Sequence, residues 1–235
     1  MQISILTLFP EMFAGPFDVS ILKRAKEKGL ITIELVNIRD YGIGSHKMVD
    51  DTPYGGGVGM VMRVDVLHKA IEETKTKFSQ QQSNKTVKQL VVLTSASGKP
   101  YKQQIAKKYS HIDHLIIICG HYEGVDARIL HYVDEEVSIG DFVLTGGELP
   151  AMLITDSVTR LLAGVITEGA VEDESFSKDE SLLEYPHFTK PREYDGQNVP
   201  EILLSGNHQK ITAWREQQSL EKTKLVRPEL LKKHA

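Results

Sequence analysis

The chain has 235 residues, 40% hydrophobic and 26% charged, with a net charge of −4 at pH 7. These values fit a soluble globular protein with one large or two modest domains. The apolar run at residues 3–9 is too short to cross a membrane and lacks a basic leader, so we expect neither a signal peptide nor a membrane partner. A single cysteine, Cys119, excludes an internal disulfide framework and a cysteine-rich zinc site, and a cytoplasmic location is expected.

Taken in chain order, strand-like and helix-like segments alternate along residues 1–162. Strands are predicted at residues 2–9, 31–36, 90–94, 115–119 and 136–139. Helices are predicted at residues 20–28, 64–78, 101–109, 126–132 and 148–162, with loops at 39–60 and 79–86 and a turn at 95–98. The alternation predicts an α/β domain with a largely parallel sheet.

The remaining third of the chain differs in charge and pattern. Residues 161–184 contain one lysine and seven acidic residues, whereas residues 185–235 contain nine lysines or arginines and six acidic residues. We interpret residues 163–185 as a flexible acidic linker and residues 186–235 as a small helical domain. A basic tail is compatible with a polyanionic partner, although it is also typical of a helix that is basic for solubility.

Two glycine-containing loops are the most informative motifs. They read CGHYEGVD at residues 119–126 and SIGDFVLTGGELPA at residues 138–151, and each follows a predicted strand. With TSASG at residues 94–98, they converge on the carboxyl edge of the sheet, where open α/β folds bind ligands. Because glycine lets the main chain approach a ligand closely, we expect a pocket walled by backbone amides that holds an adenosyl group. Each loop alone is also typical of an ordinary βα turn, and neither has the GxGxxG spacing of a nicotinamide site.

Weaker signals come from four other features. The loop DDTPYGGGVG at residues 50–59 lacks the ending of a P-loop and predicts either a flexible loop or one that closes over a substrate. The nine histidines have no metal-ligand spacing, so no metal site is predicted, and only His121 falls inside a pocket loop. Arg160 lies among apolar residues, where its guanidinium either extends to a domain edge or faces a developing oxyanion. The acidic run at residues 172–176 is either a solvated charge cluster or the carrier of a general base.

These strings together resemble the TrmD family of bacterial tRNA (guanine-N1)-methyltransferases, which are knotted SPOUT methyltransferases. The similarity covers nearly the whole chain and includes both glycine loops and the strings LFPEMF, VDDTPYGGG, PHFT and LLSGNH at residues 8–13, 49–57, 186–189 and 203–208. The resemblance implies a deep trefoil knot at the cofactor site within residues 1–162, and a C-terminal helical domain that binds tRNA. It also implies a homodimer whose active sites draw on both subunits.

The reaction implied is methyl transfer from S-adenosylmethionine to N1 of guanosine 37, beside the tRNA anticodon. Guanine N1 carries a proton at neutral pH, so a base must remove it while negative charge builds toward O6. The sulfonium methyl is already activated and needs no metal, so Mg²⁺ is expected only with the RNA substrate. The target base must leave its stack to reach the methyl group.

The resemblance also assigns residues by position. Arg160 matches the catalytic arginine, and the base is either Glu174, which aligns with the family's aspartate, or Asp173. The RNA is expected to contact Asp50, Tyr54, Gly55, Lys190, Arg192, Lys210 and Arg215. The cofactor wall is assigned to Leu93, Thr94, Ser95, Gly120, Tyr122, Glu123, Ser138, Ile139, Gly140, Asp141, Phe142, Val143, Leu144, Gly146 and Gly147.

Some positions depart from the family's pattern and leave alternatives. His121 replaces a usual arginine, Phe142 replaces a usual tyrosine, and the segment at residues 177–181 is longer than usual. The alternatives are a non-catalytic RNA-binding protein that keeps the fold, and a knotted methyltransferase that acts on another RNA. Retention of Arg160 and of the pocket glycines favours the methyltransferase acting on tRNA.

Overall fold

A computed structural model of the chain describes residues 1–82, 86–167, 169, 174–177 and 182–234, with side chains as far as residue 231. The chain divides into two compact units, Met1–Ile166 and Thr167–Ala235. In the part of the chain that is described, no helix is long and apolar enough to cross a membrane.

The secondary structure of the first unit alternates between strands and helices, and the second unit is mainly helical. The strands are β1 (Gln2–Thr7), β2 (Thr32–Asn37), β3 (Asp50–Asp51), β4 (Val61–Met62), β5 (Gln89–Pro100), β6 (His114–Cys119), β7 (Glu135–Ser138), β8 (Glu193–Tyr194) and β9 (Gln197–Asn198). The α-helices are α1 (Ser20–Glu27), α2 (Val64–Gln81), α3 (Gln103–Tyr109), α4 (Glu148–Thr159), α5 (Glu201–Leu204) and α6 (His208–Val226). Short 3₁₀ helices occupy Pro10–Phe13, Pro16–Asp18, Ile38–Tyr41, Ala127–Tyr132 and Pro228–His234.

Five strands form the central sheet, in the order β2-β1-β6-β5-β7, and every neighbouring pair is parallel. The predicted α/β fold with a largely parallel sheet is therefore confirmed. The middle strand, β6, is the apolar run HLIIIC and is buried along its whole length. Such a run is expected where helices cover both faces of a parallel sheet.

Alternate residues of the strands face two separate hydrophobic layers. Ile3 and Ile117 belong to the layer that also contains residues of α1, α3 and α4. Leu6 and Ile116 belong to the opposite layer, which contains the apolar side of α2. Because successive side chains of a strand point to opposite faces, the same sheet contributes to both hydrophobic layers. The loops that follow the strands lie at the edge of the sheet.

The structure corrects several sequence-based boundaries. The predicted turn at residues 95–98 lies within β5, whose pairing with β7 shifts register between Thr94 and Lys99. The predicted start of the polar loop at residues 79–86 was wrong. Helix α2 continues to Gln81, and the Ser79 hydroxyl donates to the Lys75 carbonyl within it. Polar residues continue a helix without difficulty once its apolar face is buried.

Two helices also differ from their predicted bounds. The helix predicted at residues 148–162 ends at Thr159, so Arg160 is its C-terminal capping residue. The helix predicted at residues 126–132 is a 3₁₀ helix, Ala127–Tyr132, whose first turn is capped by the Asp126 carboxylate. Both differences place a polar side chain at the end of an element rather than along its face.

The second unit contains the β8–β9 hairpin and helices α5 and α6. Thr223 of α6 is fully buried, and its hydroxyl accepts a hydrogen bond of 2.9 Å from the Leu183 amide. The turn at residues 174–177 is joined to the same segment, because the Glu184 amide donates to Ser175 Oγ at 2.9 Å. Described parts of the predicted linker are therefore hydrogen-bonded to each other and to α6.

Candidate functional site

A cavity of about 380 Å³ lies at the carboxyl edge of the parallel sheet. Its wall consists of three stretches of chain, at residues 93–97 in β5, residues 120–125 after β6 and residues 137–147 around the end of β7, with Pro150 of α4 beside them. The volume is in the range of small-molecule binding sites. The convergence of three strand ends explains why the cavity forms here.

The cavity brings together most of the residues predicted to bind the cofactor. Fourteen of the fifteen line it, and Asp141 is an exposed residue outside the lining. The residue list drawn from the family resemblance omits several other lining residues: Ala96, Ser97, Gly124, Val125, Val137, Thr145 and Pro150. All of these except Val137 lie in the three loops that the sequence predicts at the pocket, at residues 94–98, 119–126 and 138–151.

Main-chain hydrogen bonds hold the glycine loops together. The Gly147 amide donates to the Gly120 carbonyl at 2.8 Å, and His121 forms an isolated antiparallel bridge with Gly146. Gly140 has a φ of 153°, and a Cβ there would lie 2.4 Å from Cε1 of Phe142. The cavity wall is therefore built of closely packed backbone, as the glycine content predicted.

A chain of hydroxyl groups borders the cavity on the β5 side. Ser97 Oγ donates to the Glu136 carboxylate at 3.0 Å and lies 2.8 Å from Ser95 Oγ. Because a carboxylate only accepts, the Ser97 proton points to Glu136 and Ser95 donates to Ser97. Ser95 Oγ also accepts a hydrogen bond of 3.2 Å from the Ser97 amide, so one lone pair, rather than its proton, is available for a ligand.

A buried acid lies beside the imidazole of His121, which lines the cavity. Glu148, the first residue of α4, is 1% exposed and accepts a hydrogen bond of 2.9 Å from Thr7 Oγ1. His121 Nδ1 lies 4.0 Å from Glu148 Oε2. Neither Glu148 nor Thr7 was predicted from the sequence, because the two are 141 positions apart and only the sheet brings them together.

Cys119, at the end of β6, does not present a reactive thiol to the cavity. It is fully buried, and burial followed by the nearby Glu148 carboxylate raises the pKa of its thiol. A protonated buried thiol is a poor nucleophile. Cys119 is therefore a core residue of the strand.

The glycine-rich loop at residues 50–59 leads into residues that are joined to the cavity loop at residues 120–125. The Glu123 amide donates to the Met60 carbonyl at 3.0 Å, and Met62 forms a parallel bridge with Val125. A Cβ at Gly59 would lie 2.5 Å from the Glu123 side chain. The loop is consequently anchored at its end beside the cavity.

The residues of this loop that were predicted to contact RNA differ in exposure. Asp50 is half-buried and pairs with Met62 in the β3–β4 ribbon. Tyr54 is fully exposed and Gly55 has a φ of 87°. An exposed tyrosine ring on a glycine-rich loop is available for stacking on a base.

The predicted catalytic residues lie in different units. Arg160 is half-buried at the C-terminal end of α4, and its amide donates to the Asp156 carbonyl. Glu174 is half-buried in the turn at residues 174–177 of the second unit, where Phe176 has a φ of 67°. Asp173 lies outside the described residues.

The predicted phosphate-binding residues of the second unit have distinct surroundings. Lys190 and Lys210 are exposed, and Arg192 donates to Glu201 at 2.7 Å. The Arg215 guanidinium lies 4.7 Å from the centre of the Tyr185 ring, and its buried Nε has no hydrogen-bond partner among the described residues. Arg215 is thus partly committed to packing on tyrosine, in addition to any contact with RNA.

Across the described ranges, no group of three or more His, Cys, Asp or Glu side chains is arranged to hold a metal ion. Carboxylates near the cavity are engaged with protein groups instead. Asp126 is an example, because the Arg128 guanidinium lowers the pKa of its carboxyl group to about 2.

Comparison with known proteins agrees with the geometry of this site. The family described as tRNA (Guanine-1)-methyltransferase TrmD matches residues 1–233. A protein of Pelotomaculum thermopropionicum named tRNA (guanine-N(1)-)-methyltransferase is 52% identical over 99% of this chain and 90% of its own length. Proteins with the same name from Dictyoglomus turgidum and Staphylococcus carnosus are each 50% identical, over 99% and 100% of this chain and 91% and 92% of their own lengths. The predicted family is confirmed, and the chain belongs to the tRNA (guanine-N1)-methyltransferase family TrmD.

Proposed function

We propose that this chain is a tRNA (guanine-N1)-methyltransferase that transfers a methyl group from S-adenosylmethionine to N1 of guanosine 37. The observation that carries the proposal is the cavity of three converging glycine loops at the carboxyl edge of the sheet. The family to which the chain belongs is named for this activity, and so is a relative that is 52% identical to the chain.

The residues of the cavity fit an adenosyl group. The wall combines apolar side chains, such as Leu93 and Leu144, with main chain that glycine leaves uncovered. A Cβ at Gly147 would lie 2.8 Å from the Gly120 amide nitrogen, so side-chain bulk is excluded from the wall. Apolar surface suits a purine ring and main-chain groups can bind its polar edge. Bound S-adenosylmethionine supplies a methyl group that its sulfonium charge has already activated.

We assign the proton chemistry to Arg160 and to a carboxylate of the acidic segment. Glu174 accepts the proton of guanine N1, with Asp173 as the competing base. The Arg160 guanidinium stabilises the negative charge that develops at O6. Neither role involves a metal, and any Mg²⁺ is assigned to the RNA substrate.

We also propose the assembly that the family resemblance implies, a homodimer with a trefoil knot around the cofactor loops. Exposed apolar side chains support a subunit interface, because Leu149 and Leu153 occupy one face of α4 at 53% and 46% exposure, and Val143 in the neighbouring loop is 85% exposed. Apolar surface of this kind commonly marks an interaction site. We assign residues 1–162 to the methyltransferase domain, residues 163–185 to the linker and residues 186–235 to tRNA binding, with the protein in the cytoplasm beside its substrate.

The test is methyl transfer from labelled S-adenosylmethionine to tRNA transcripts with guanosine or adenosine at position 37. We expect label at N1 in the guanosine transcript and none in the adenosine transcript. RNA binding without any transfer would indicate a non-catalytic RNA-binding protein. Equal labelling of both transcripts would place the methylated base elsewhere in the RNA.

A further inference from the structure

We propose that His121 sets how strongly the cavity prefers the cationic cofactor, S-adenosylmethionine, over its neutral product, S-adenosylhomocysteine. The imidazole would do so by changing the charge of the cavity wall. The inference rests on the proposed function, because it requires a methyl donor that loses a positive charge in the reaction.

The position of His121 suits this role. It lines the cavity, and its side chain is 20% exposed. Its Nδ1 atom is buried and has no hydrogen-bond partner among the residues that the structure describes. Across a gap of 4.0 Å, Nδ1 faces Oε2 of Glu148. A protonated imidazole therefore has a carboxylate in front of its Nδ1–H.

Gly146 keeps this gap open. A Cβ at Gly146 would lie 2.6 Å from His121 Nδ1 and 2.4 Å from Glu148 Oε2, so any other residue would enter the space between them. The bridge between His121 and Gly146 and the hydrogen bond from the Gly147 amide to Gly120 hold the two loops at this separation. The backbone therefore fixes the separation of His121 and Glu148 at the junction between the cofactor loops.

Few other groups that titrate face the imidazole. Glu148 approaches from α4, where the helix N-terminus favours its negative charge and Thr7 Oγ1 donates to it. The Phe9 ring packs against His121 with centroids 4.9 Å apart, and the Tyr122 ring meets it edge-on at 4.8 Å. The Cys119 thiol behind them is buried, and its raised pKa keeps it uncharged. Glu123, which also lines the cavity, contacts Gly59 on the other side of the loop.

Protonation of His121 then adds one positive charge to the wall. Histidine is the side chain that ordinarily changes charge between pH 5 and 8. A positive wall repels a sulfonium but not the thioether that remains after transfer. The sulfonium lowers the pKa of the ligand's own amino group, so the two free ligands respond differently to pH. This response is the same whichever protein variant is titrated, so the comparison between the wild type and a neutral variant isolates His121. Two unit charges about 6 Å apart already change that ratio about threefold in water, and a less polar cavity increases the effect.

The experiment is calorimetric titration of the full-length protein with each ligand from pH 5.5 to 8.5 at low salt. Relative to His121→Asn, which is always neutral, we expect the wild type to lose preference for S-adenosylmethionine by at least about threefold as pH decreases. His121→Arg, which is always charged, should show the lower preference at every pH. His111→Asn, which removes an exposed histidine after α3, should follow the wild type.

An equal pH dependence of the ratio in the wild type and in His121→Asn would overturn the proposal. His121→Gln provides a second neutral variant if the asparagine variant does not fold. If neither ligand binds at any pH while circular dichroism shows an intact fold, the proposed function itself fails, and this inference fails with it.

Discussion

Gly147 and Thr94 are so close that a Cβ on the glycine would lie 2.1 Å from the threonine Oγ1. The same atom would lie 2.7 Å from Cα of Cys119, and Thr94 Oγ1 is held by a hydrogen bond of 3.0 Å to the Ile118 carbonyl. Neither neighbour is the free end of a flexible side chain. The loop that precedes α4 therefore meets β5, where its register shifts, and the end of β6 with no side chain between them.

This close approach predicts the effect of Gly147→Ala. The added methyl group should force the loops apart, lowering the free energy of unfolding by about 1–3 kcal/mol and weakening S-adenosylmethionine binding. Gly120→Ala is the matched control in the same wall, because its Cβ would meet only the Thr94 carbonyl oxygen, at 3.1 Å. Urea unfolding and calorimetry should show the larger effects for Gly147→Ala, and equal effects would contradict the packing argument.

The choice of base predicts a loss of turnover without a loss of cofactor binding. Alanine at the true base, Glu174 or Asp173, should reduce the rate of methyl transfer by about 10²–10⁴-fold. Single-turnover assays of both single variants and the double variant identify which carboxylate acts. Asp179→Ala, in the same acidic segment, serves as the control. Normal turnover in the double variant would exclude the carboxylate mechanism.

Neutralising the basic side chains of the second unit should flatten the salt dependence of tRNA binding. Glutamine at Lys190, Arg192 or Lys210 should reduce the log–log slope by roughly 0.7–0.9 for each phosphate that the protein no longer neutralises. Arg215→Gln should in addition destabilise the unit, because its guanidinium packs on Tyr185. Lys23→Gln, on an exposed side of α1, is the control, and a similar slope change there would argue against specific phosphate binding.

A homodimer with shared sites predicts complementation between two inactive full-length chains. One chain carries Arg160→Ala, and the other carries alanine at both Asp173 and Glu174. Mixed dimers should regain activity if the arginine and the carboxylate of one site come from different subunits. Methyl transfer by purified heterodimers measures this, and the absence of recovery would indicate sites built within one subunit.

The buried His114 predicts a pH dependence of stability. Its Nε2 lies 2.9 Å from Ser4 Oγ and its Nδ1 lies 3.0 Å from Gln89 Oε1. Burial lowers the pKa of His114 from 6.5 to about 4, so the unfolded chain binds a proton that the folded chain does not. Stability should therefore fall as pH decreases from about 6.5 to 4, by up to about 3 kcal/mol, and should not depend on this group at higher pH.

Urea unfolding at a series of pH values measures this effect. His114→Gln should remove the corresponding part of the pH dependence, whereas His46→Gln, at an exposed position, should leave it in place. An unchanged profile in His114→Gln would show that another group is responsible.

The sequence by itself determined the class of fold and the edge of the sheet that carries the site. Alternating strand and helix patterns predict parallel strands, and the carboxyl ends of parallel strands lie on one edge. The loops after β6 and β7 directly follow their strands, so local pattern was sufficient to place both loops at this edge, where they line one cavity. The individual cofactor residues were assigned from the family resemblance, and fourteen of them line that cavity.

Only the tertiary structure decided which distant side chains face one another. His114 reaches Ser4 because β1 lies beside β6 in the sheet, and Thr7 at the end of β1 reaches Glu148 at the start of α4. The open space at Gly146 lets His121 face Glu148. Such pairings depend on strand order, register and backbone separation, which are properties of the packed chain. Composition and periodicity describe only neighbours along the sequence, so they contain no information about these pairs.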